Sequence, residues 1–323
     1  MLLGTYAKHS PGPWRAAVFL DGGNTLVDLA QGQWALPEAA RSLSADTGVA
    51  APATDPLFWL TPSGQELAGR VVDYAQTPAG AACRMPRGRL VIGPPLPRPG
   101  KFIAIGRNYM NHVKEGQELW AARGRKVELP TFPAAFAKFS SAMAGPEDDI
   151  IVPADTRAVD YEIELAFVIG RRAFRVSEQD ALSYVAGYTI CNDIGAREIQ
   201  RLEMESQIGI TLSKNFPSFA PTGPWIVTAD AISDPQALTM ELKVNGEQRQ
   251  HSSTADMIFS VARIIAYWSQ IGLEPGDMIT TGTPAGVALA RPEPENYYLQ
   301  PGDLVEAEIS GIGKLVNRVR AAS

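Results

Sequence analysis

The sequence predicts an α+β, mixed-β fold organised around a curled sheet. Three observations carry that expectation. Segments patterned as strands outnumber those patterned as helices. They do not alternate strictly with helices, as a doubly wound sheet requires. The dinucleotide signature is also missing: "SGIGKL" (310–315) holds only a fragment of the glycine loop, and no ribose-binding acid follows.

At 323 residues the chain is long for one simple core, so one large domain with a small one is expected. The composition is globular, with 45% apolar and 20% charged residues. A net charge of −6 without any Lys/Arg tract argues against a nucleic-acid groove. No apolar run approaches the roughly 18 residues of a membrane span. "MLLGTYAKHSPGPW" lacks the charged start and long apolar core of a signal peptide. Cys83 and Cys191 show no zinc-ligand spacing and read as reduced core thiols of a cytoplasmic protein.

Residues 1–95 read as a small N-terminal domain. "AAVFLDGGNTLVDL" (16–29) sets two β-rich runs around Asp-Gly-Gly-Asn, a hairpin signal. Helical pattern follows at 36–46 and 63–76. The proline-rich 86–100 reads as a linker, because proline cannot donate to a ladder. The second domain, 96–323, opens with a buried-type strand at 101–106. A turn or two of helix at 109–115 should stop at Gly116, and 116–135 reads as a long lid-like loop. Strands follow in "DDIIVP" and "DYEIELAFVIG". Ser177 and Asp180 resemble a capping box that opens a helix in "SEQDALSYVAG". "YTICND" (188–193) is a strand, 194–205 a helix, and strands lie near 225–228 and 238–244. "SSTADMIFSVARIIAYWSQIG" is patterned as one helix, capped near Ser253 and stopped at Gly272. Two Pro-Gly-Asp turns lead into the last strands.

The segment "VDYEIELAFVIG" (159–170) places Asp160, Glu162 and Glu164 on one strand face, which then continues as Ala166 and Val168. One reading has the acids reach solvent or pair with buried arginine. The other has Glu162 and Glu164 join Asp193, from the end of "YTICND", around a divalent cation. Three unpaired carboxylates repel in a low dielectric, and a hard cation removes that conflict. All-oxygen ligation favours Mg²⁺, Mn²⁺ or Ca²⁺ over zinc.

His112, one of three histidines, stands three residues before Glu115 on the expected helical turn in "GRNYMNHVKEG". The two make either a surface pair or a general-base dyad. Lys138, Arg197 and Lys214 are separately solvated charges, or together, with Gln200, a site for an anion or developing oxyanion. Thr283 in "TTGTPAGV" offers a hydroxyl and nearby amides suited to a carboxylate.

Together, "FIAIGRNYMNHVKEG", "DYEIELAFVIG", "YTICNDIGAREIQ", "LSKNFPSFAPTGPW", "MIFSVARIIAYWSQIGLEPGDMITTGTPAGV" and "LQPGDLVEAEISGIGKLVN" resemble the fumarylacetoacetate hydrolase superfamily, in that family's order. The resemblance implies a rolled mixed β-sheet core and a homodimer. It implies Mg²⁺ or Mn²⁺ held by Glu162, Glu164 and Asp193, with His112 and Glu115 as the water-activating dyad. It places Arg197, Gln200, Lys214 and Thr283 near the carboxylate and oxo groups of a 2-oxo acid, with Arg107 and Lys138 as further substrate contacts. Phe139 departs from the pattern, since many relatives carry proline after the lysine matching Lys138.

The activity so implied is hydrolytic cleavage of a C–C bond in an acylpyruvate or related 1,3-dicarbonyl acid, with Lys214 stabilising the oxyanion. The alternative is decarboxylation or tautomerisation of oxaloacetate, or hydration or isomerisation of a 2-oxo-4-enoate, at the same site.

Overall fold

The computed structural model describes residues 1–9, 12–37, 56–121 and 128–322, except for the side chains of residues 118–120. Beyond residue 37, the helix expected over 36–46 lies outside the described residues. The same holds for the middle of the expected lid and the side chain of Trp120.

The chain opens with a meander of β1 (Leu2–Ala7), β2 (Arg15–Leu20) and β3 (Thr25–Asp28). The expected β2–β3 hairpin forms. Asp21, Gly22 and Gly23 all adopt positive φ at its tip, which Asp and Gly tolerate best. Asp28 then caps α1 (Leu29–Ala35), accepting from Gln31 N at 2.6 Å. α2 (Pro62–Ala75) begins with proline behind a Thr61 cap and buries Leu67, Val71 and Ala75. The proline-rich segment is more than a linker. After β4 (Arg84–Pro86), its β5 (Val91–Ile92) pairs with β1.

Next come β6 (Phe102–Ile105), α3 (Met110–Ala121), β7 (Ala135–Ala137), β8 (Met143–Ala144) and β9 (Ile150–Val152). The acidic segment divides into β10 (Val159–Asp160) and β11 (Ile163–Ile169). β12 (Val185–Asn192), β13 (Gly195–Ala196), α4 (Arg197–Glu205) and β14 (Ala220–Thr228) follow. The chain ends with β15 (Thr239–Val244), β16 (Glu247–Ser253), α5 (Val261–Trp268), β17 (Met278–Thr280), β18 (Leu304–Ile309) and β19 (Gly313–Ala321).

Among the described residues, twelve strands form one mixed sheet. Its path is β4-β3-β2-β1-β14-β12-β11-β17-β6-β7, with β5 on β1 and β8 on β14. β11 lies inside it, antiparallel to β12 and β17, with Glu164 opposite Cys191 and Ala166 opposite Thr280. All its residues are buried. A second sheet, β16-β15-β18-β19-β9, supplies Met240, Leu242 and Val305 to the apolar cluster that also holds Leu165 and Phe167. The fold is α+β with mixed sheets, as the sequence predicts. β1 pairs with β14, Leu2 opposite Val227, so residues 1–95 and 96–323 share one sheet and one core cluster. No helix among the described residues is long and apolar enough to cross a membrane.

Three helical expectations need correction. α3 runs through Gly116 to Ala121. An interior glycine costs a helix only about 1 kcal/mol relative to alanine, and the neighbouring Glu115 and Gln117 are good helix formers. In "SEQDALSYVAG", Ser177 and Asp180 do exchange hydrogen bonds, yet the chain makes only a 3₁₀ turn before β12. Pairing of Val185 with Ile169 outweighs the local signal. The helix expected over 252–272 is confined to α5, capped by Ser260. Its first residues belong to β16, which follows a turn at Asn245 and Gly246, both at positive φ. Asn-Gly is a strong hairpin signal.

Candidate active site

β11, β12 and α4 converge on a buried cluster of charge. Oxygen atoms of Glu162, Glu164 and Asp193 lie within 4.8 Å of one another. Glu162 stands just before β11 and Glu164 within it. Asp193 follows β12, and its N–H donates to Glu162 O at 2.8 Å. Two antiparallel strands thus bring the three acids together at the same level of the sheet.

The cations sort these acids. Arg197 starts α4 and donates Nε to Asp160 (2.7 Å), Nη2 to Glu162 (2.5 Å) and Nη1 to Gln200 Oε1 (2.8 Å). Asp160 also accepts from Ala288 N and Leu289 N, so it is a structural acid. Lys214 Nζ donates to Glu162 Oε2 (2.7 Å), Asp193 Oδ2 (2.9 Å) and Asp193 O (3.0 Å). Lys138 Nζ donates to Asp193 Oδ1 (2.5 Å), Lys214 O (2.7 Å) and Phe219 O (2.9 Å). Burial alone would raise the Glu162 carboxyl, but Lys214 and Arg197 hold it down at about 2. Glu164 pairs with no cation among the described residues and accepts from Gly282 N at 3.0 Å. Burial, Asp193 and Glu162 push it well above the ordinary carboxylate value.

The donor set fits a hard divalent cation. It consists of three buried carboxylates and no nitrogen or sulfur ligand. Among the described residues, four acids, Asp160 included, face three cations, and Glu164 is the one left without an ion pair. A divalent ion would turn that single excess negative charge into a single positive one, which an anionic substrate would neutralise.

A cavity of about 510 Å³ opens over the cluster, lined among others by Arg107, His112, Phe136, Gln200, Met204 and Thr283. His112 Nδ1 donates to Glu115 Oε2 at 3.3 Å, because an ionised carboxylate only accepts. That leaves Nε2 as the basic nitrogen of a residue on the cavity wall. Glu115 is anchored in turn by Gly286 N, at 3.1 and 3.3 Å. Gly286 has φ +105°, and a Cβ there would meet Arg249 O at 2.2 Å. Gln200 accepts from Arg197 with Oε1, so its amide hydrogens remain for a ligand. The Arg107 guanidinium, also on the wall, has no hydrogen-bond or ion-pair partner among the described residues.

Two expected roles change. Lys138 does not line the cavity. All three of its hydrogens are directed into the protein, where it supports Asp193. Lys214 does line the cavity, but its three hydrogens are occupied by Glu162 and Asp193. It reaches an oxyanion only if one of those bonds is given up. The sequence reading also missed Asn108. It is fully buried and clamps the segment between Arg107 and α3, through Phe259 N, Phe259 O and Thr281 O. An asparagine immediately before the expected helix at 109–115 was the available signal.

The family model for the fumarylacetoacetate (FAA) hydrolase C-terminal domain matches residues 101–320. The fumarylacetoacetate hydrolase domain-containing protein 2 homolog of Dictyostelium discoideum is 42% identical over 246 residues, 73% of this chain and 76% of that protein. The mitochondrial oxaloacetate tautomerase of Rattus norvegicus is 39% identical over 236 residues, 73% of this chain and 71% of that protein. Maleylpyruvate hydrolase from Sphingobium sp. SYK-6, solved with manganese(II) and pyruvate, superposes with a TM-score of 0.73 at 27% identity, covering 100% of both chains. With a family model spanning most of its length, the chain belongs to the fumarylacetoacetate hydrolase family.

Proposed function

We propose that the chain is a divalent-metal-dependent enzyme that moves a proton at C3 of a small 2-oxo acid, interconverting the keto and enol forms of an oxaloacetate-like substrate. The observation that carries this reading is the meeting, in one cavity, of an oriented histidine and a carboxylate cluster in which Glu164 pairs with no cation among the described residues. The identity to oxaloacetate tautomerases supports the choice of reaction, and the manganese and pyruvate held by a structural neighbour support the choice of ligand class. A bound divalent cation would supply Lewis acidity at a chelated 2-oxo acid. Mg²⁺ and Mn²⁺ both suit an all-oxygen site.

This chain's own residues do the rest. Gln200 presents its amide hydrogens and Arg107 a free guanidinium, so a substrate with two carboxylates finds two complementary donors. His112 Nε2 takes a proton from C3 of the keto form and delivers it to the C2 oxygen, giving the enol, with Glu115 holding the ring in that orientation. Apolar Phe136 and Met204 limit water in the cavity.

A second reading is C–C bond hydrolysis of an acylpyruvate. There the same His112 removes a proton from water instead of from C3. The anchoring of Glu115 by Gly286 favours it, because activating water calls for a firmly held dyad. Assaying oxaloacetate tautomerisation beside acylpyruvate cleavage, each with and without Mg²⁺, separates the two. Metal-dependent turnover of oxaloacetate alone supports the first reading and of acylpyruvates alone the second. No turnover of either by metal-loaded protein contradicts both.

A further inference from the structure

Gln250 lies on β16, in the second sheet, and none of the roles above uses it. Its side chain is fully buried, and each of its hydrogen-bonding directions is fixed. Ile163 N donates to Gln250 Oε1 at 3.0 Å. That sets the amide the other way round toward the loop after β17. There Nε2 donates to Thr283 Oγ1 and to Pro284 O, both at 2.9 Å. A hydroxyl that accepts from an amide still has its own hydrogen to place, and Thr283 Oγ1 donates it to Ile163 O at 3.0 Å. The ring closes on the residue it began with.

Ile163 stands between Glu162 and Glu164. Flanking residues of the same loop deliver Gly282 N to Glu164 and Gly286 N to Glu115. One buried amide therefore joins the strand of the carboxylate cluster to the loop that forms the cavity wall. The Thr283 hydroxyl hydrogen is committed inside the protein. The Thr283 main-chain N–H has no hydrogen-bond partner among the described residues, although the residue is buried at the wall. Buried main-chain donors are rarely left unpaired.

We propose that Gln250 is a positioning residue that locks the Thr283 hydroxyl inward and turns the Thr283 main-chain N–H toward the carboxylate of the bound 2-oxo acid. This rests on the proposed function only in taking an anionic 2-oxo acid as ligand. The hydroxyl orients the loop and does not touch substrate.

Two experiments test it on the full chain. In the wild type, labelled selectively with ¹⁵N-threonine and saturated with Mg²⁺, addition of oxalate should move the Thr283 amide proton downfield. Steady-state kinetics then compare Gln250→Glu, Gln250→Leu, Thr283→Val and the Gln250→Leu/Thr283→Val double variant. The ring predicts that Gln250→Leu and Thr283→Val each raise KM roughly tenfold with kcat within about threefold. The double variant should be little worse than either single, because all remove the same unit. Gln250→Glu keeps the volume and the acceptor for Ile163 N; at a pH where it is ionised it cannot donate to Thr283 and should match them. A lowered Tm with unchanged KM, independent and multiplying effects, or a Thr283 amide that ignores bound oxalate overturns the role. If the wild type binds no oxalate and turns over no 2-oxo acid, the functional reading fails and this inference with it. If it binds and the amide stays still, only this inference fails.

Discussion

Glu162 and Glu164 stand two residues apart and belong to one carboxylate cluster, yet only Glu162 is paired with cations. Arg197 and Lys214 both donate to Glu162, at 2.5 and 2.7 Å, whereas Glu164 accepts from a main-chain N–H. The contrast is what a metal centre requires. Two of its acids are held in place by the protein, and the third is costly to keep charged until an ion arrives.

His112 is expected to matter for chemistry and not for the metal. Its ring contacts Glu115 and none of the three acids by hydrogen bond. His112→Ala should lower kcat by about 10²–10⁴-fold, the usual range for losing a general base. Bound Mg²⁺, measured by elemental analysis after gel filtration, should stay at wild-type stoichiometry. Loss of the metal together with activity would place His112 in the ligand set instead.

Gly286→Ala should mimic part of that defect from outside the dyad. The added methyl meets Arg249 O at 2.2 Å and the backbone is at φ +105°, so the loop must shift and release Glu115. We expect kcat to fall more than tenfold while metal binding is retained. A variant with wild-type kcat would show that Glu115 is held by other means.

Lys138→Met tests the reassignment of that lysine. It leaves one Asp193 oxygen and the Lys214 main-chain carbonyl without a donor in a buried place, while Phe219 O keeps the N–H of Ile194. Breaking a buried pair this way costs roughly 3–5 kcal/mol, so the urea midpoint should fall markedly. A substrate contact would instead raise KM and leave the midpoint alone.

Away from the site, Asp28 gives the fold an acid-sensitive point. Burial by itself raises its pKa, but Arg15, Gln31 N and Tyr6 together hold the carboxyl below its ordinary value. A depressed native pKa contributes stability above the unfolded value and loses it as pH falls through the native one. The wild type should therefore lose stability below about pH 4 more steeply than Asp28→Asn, as followed by thermal melts. Parallel curves for the two proteins would rule Asp28 out as a source of the acid response.

The parts of this site legible in the sequence are those that depend on short spacing. Alternation places Glu162 and Glu164 on one face, and a three-residue step joins His112 to Glu115. Both follow from local geometry. The α+β class was readable for the same reason, from strand patterning and missing nucleotide signatures. What spacing does not reveal is the partner of each charge. Lys138 and Asp193 are 55 residues apart, and Gln250 reaches Thr283 from another sheet. Local signals also lose to the sheet in places. The Ser177 cap yields to the strand beginning at Val185, and the helical pattern before Ser260 yields to β16. Of the two readings open to the acids from sequence, the pairing with buried arginine holds for Asp160 and Glu162, while Glu164 pairs with no cation among the described residues.

If Glu162, Glu164 and Asp193 form one divalent-cation site, calorimetric titration of Mg²⁺ or Mn²⁺ into metal-free wild type and Glu164→Gln will separate the two proteins. One ion per chain is expected for the wild type, and at least a hundredfold weaker binding for Glu164→Gln. The variant's metal-free melting temperature should be equal or higher, since a cation-free buried carboxyl has been removed. Equal affinity in the two proteins, or no binding to the wild type at millimolar metal, would contradict the shared site.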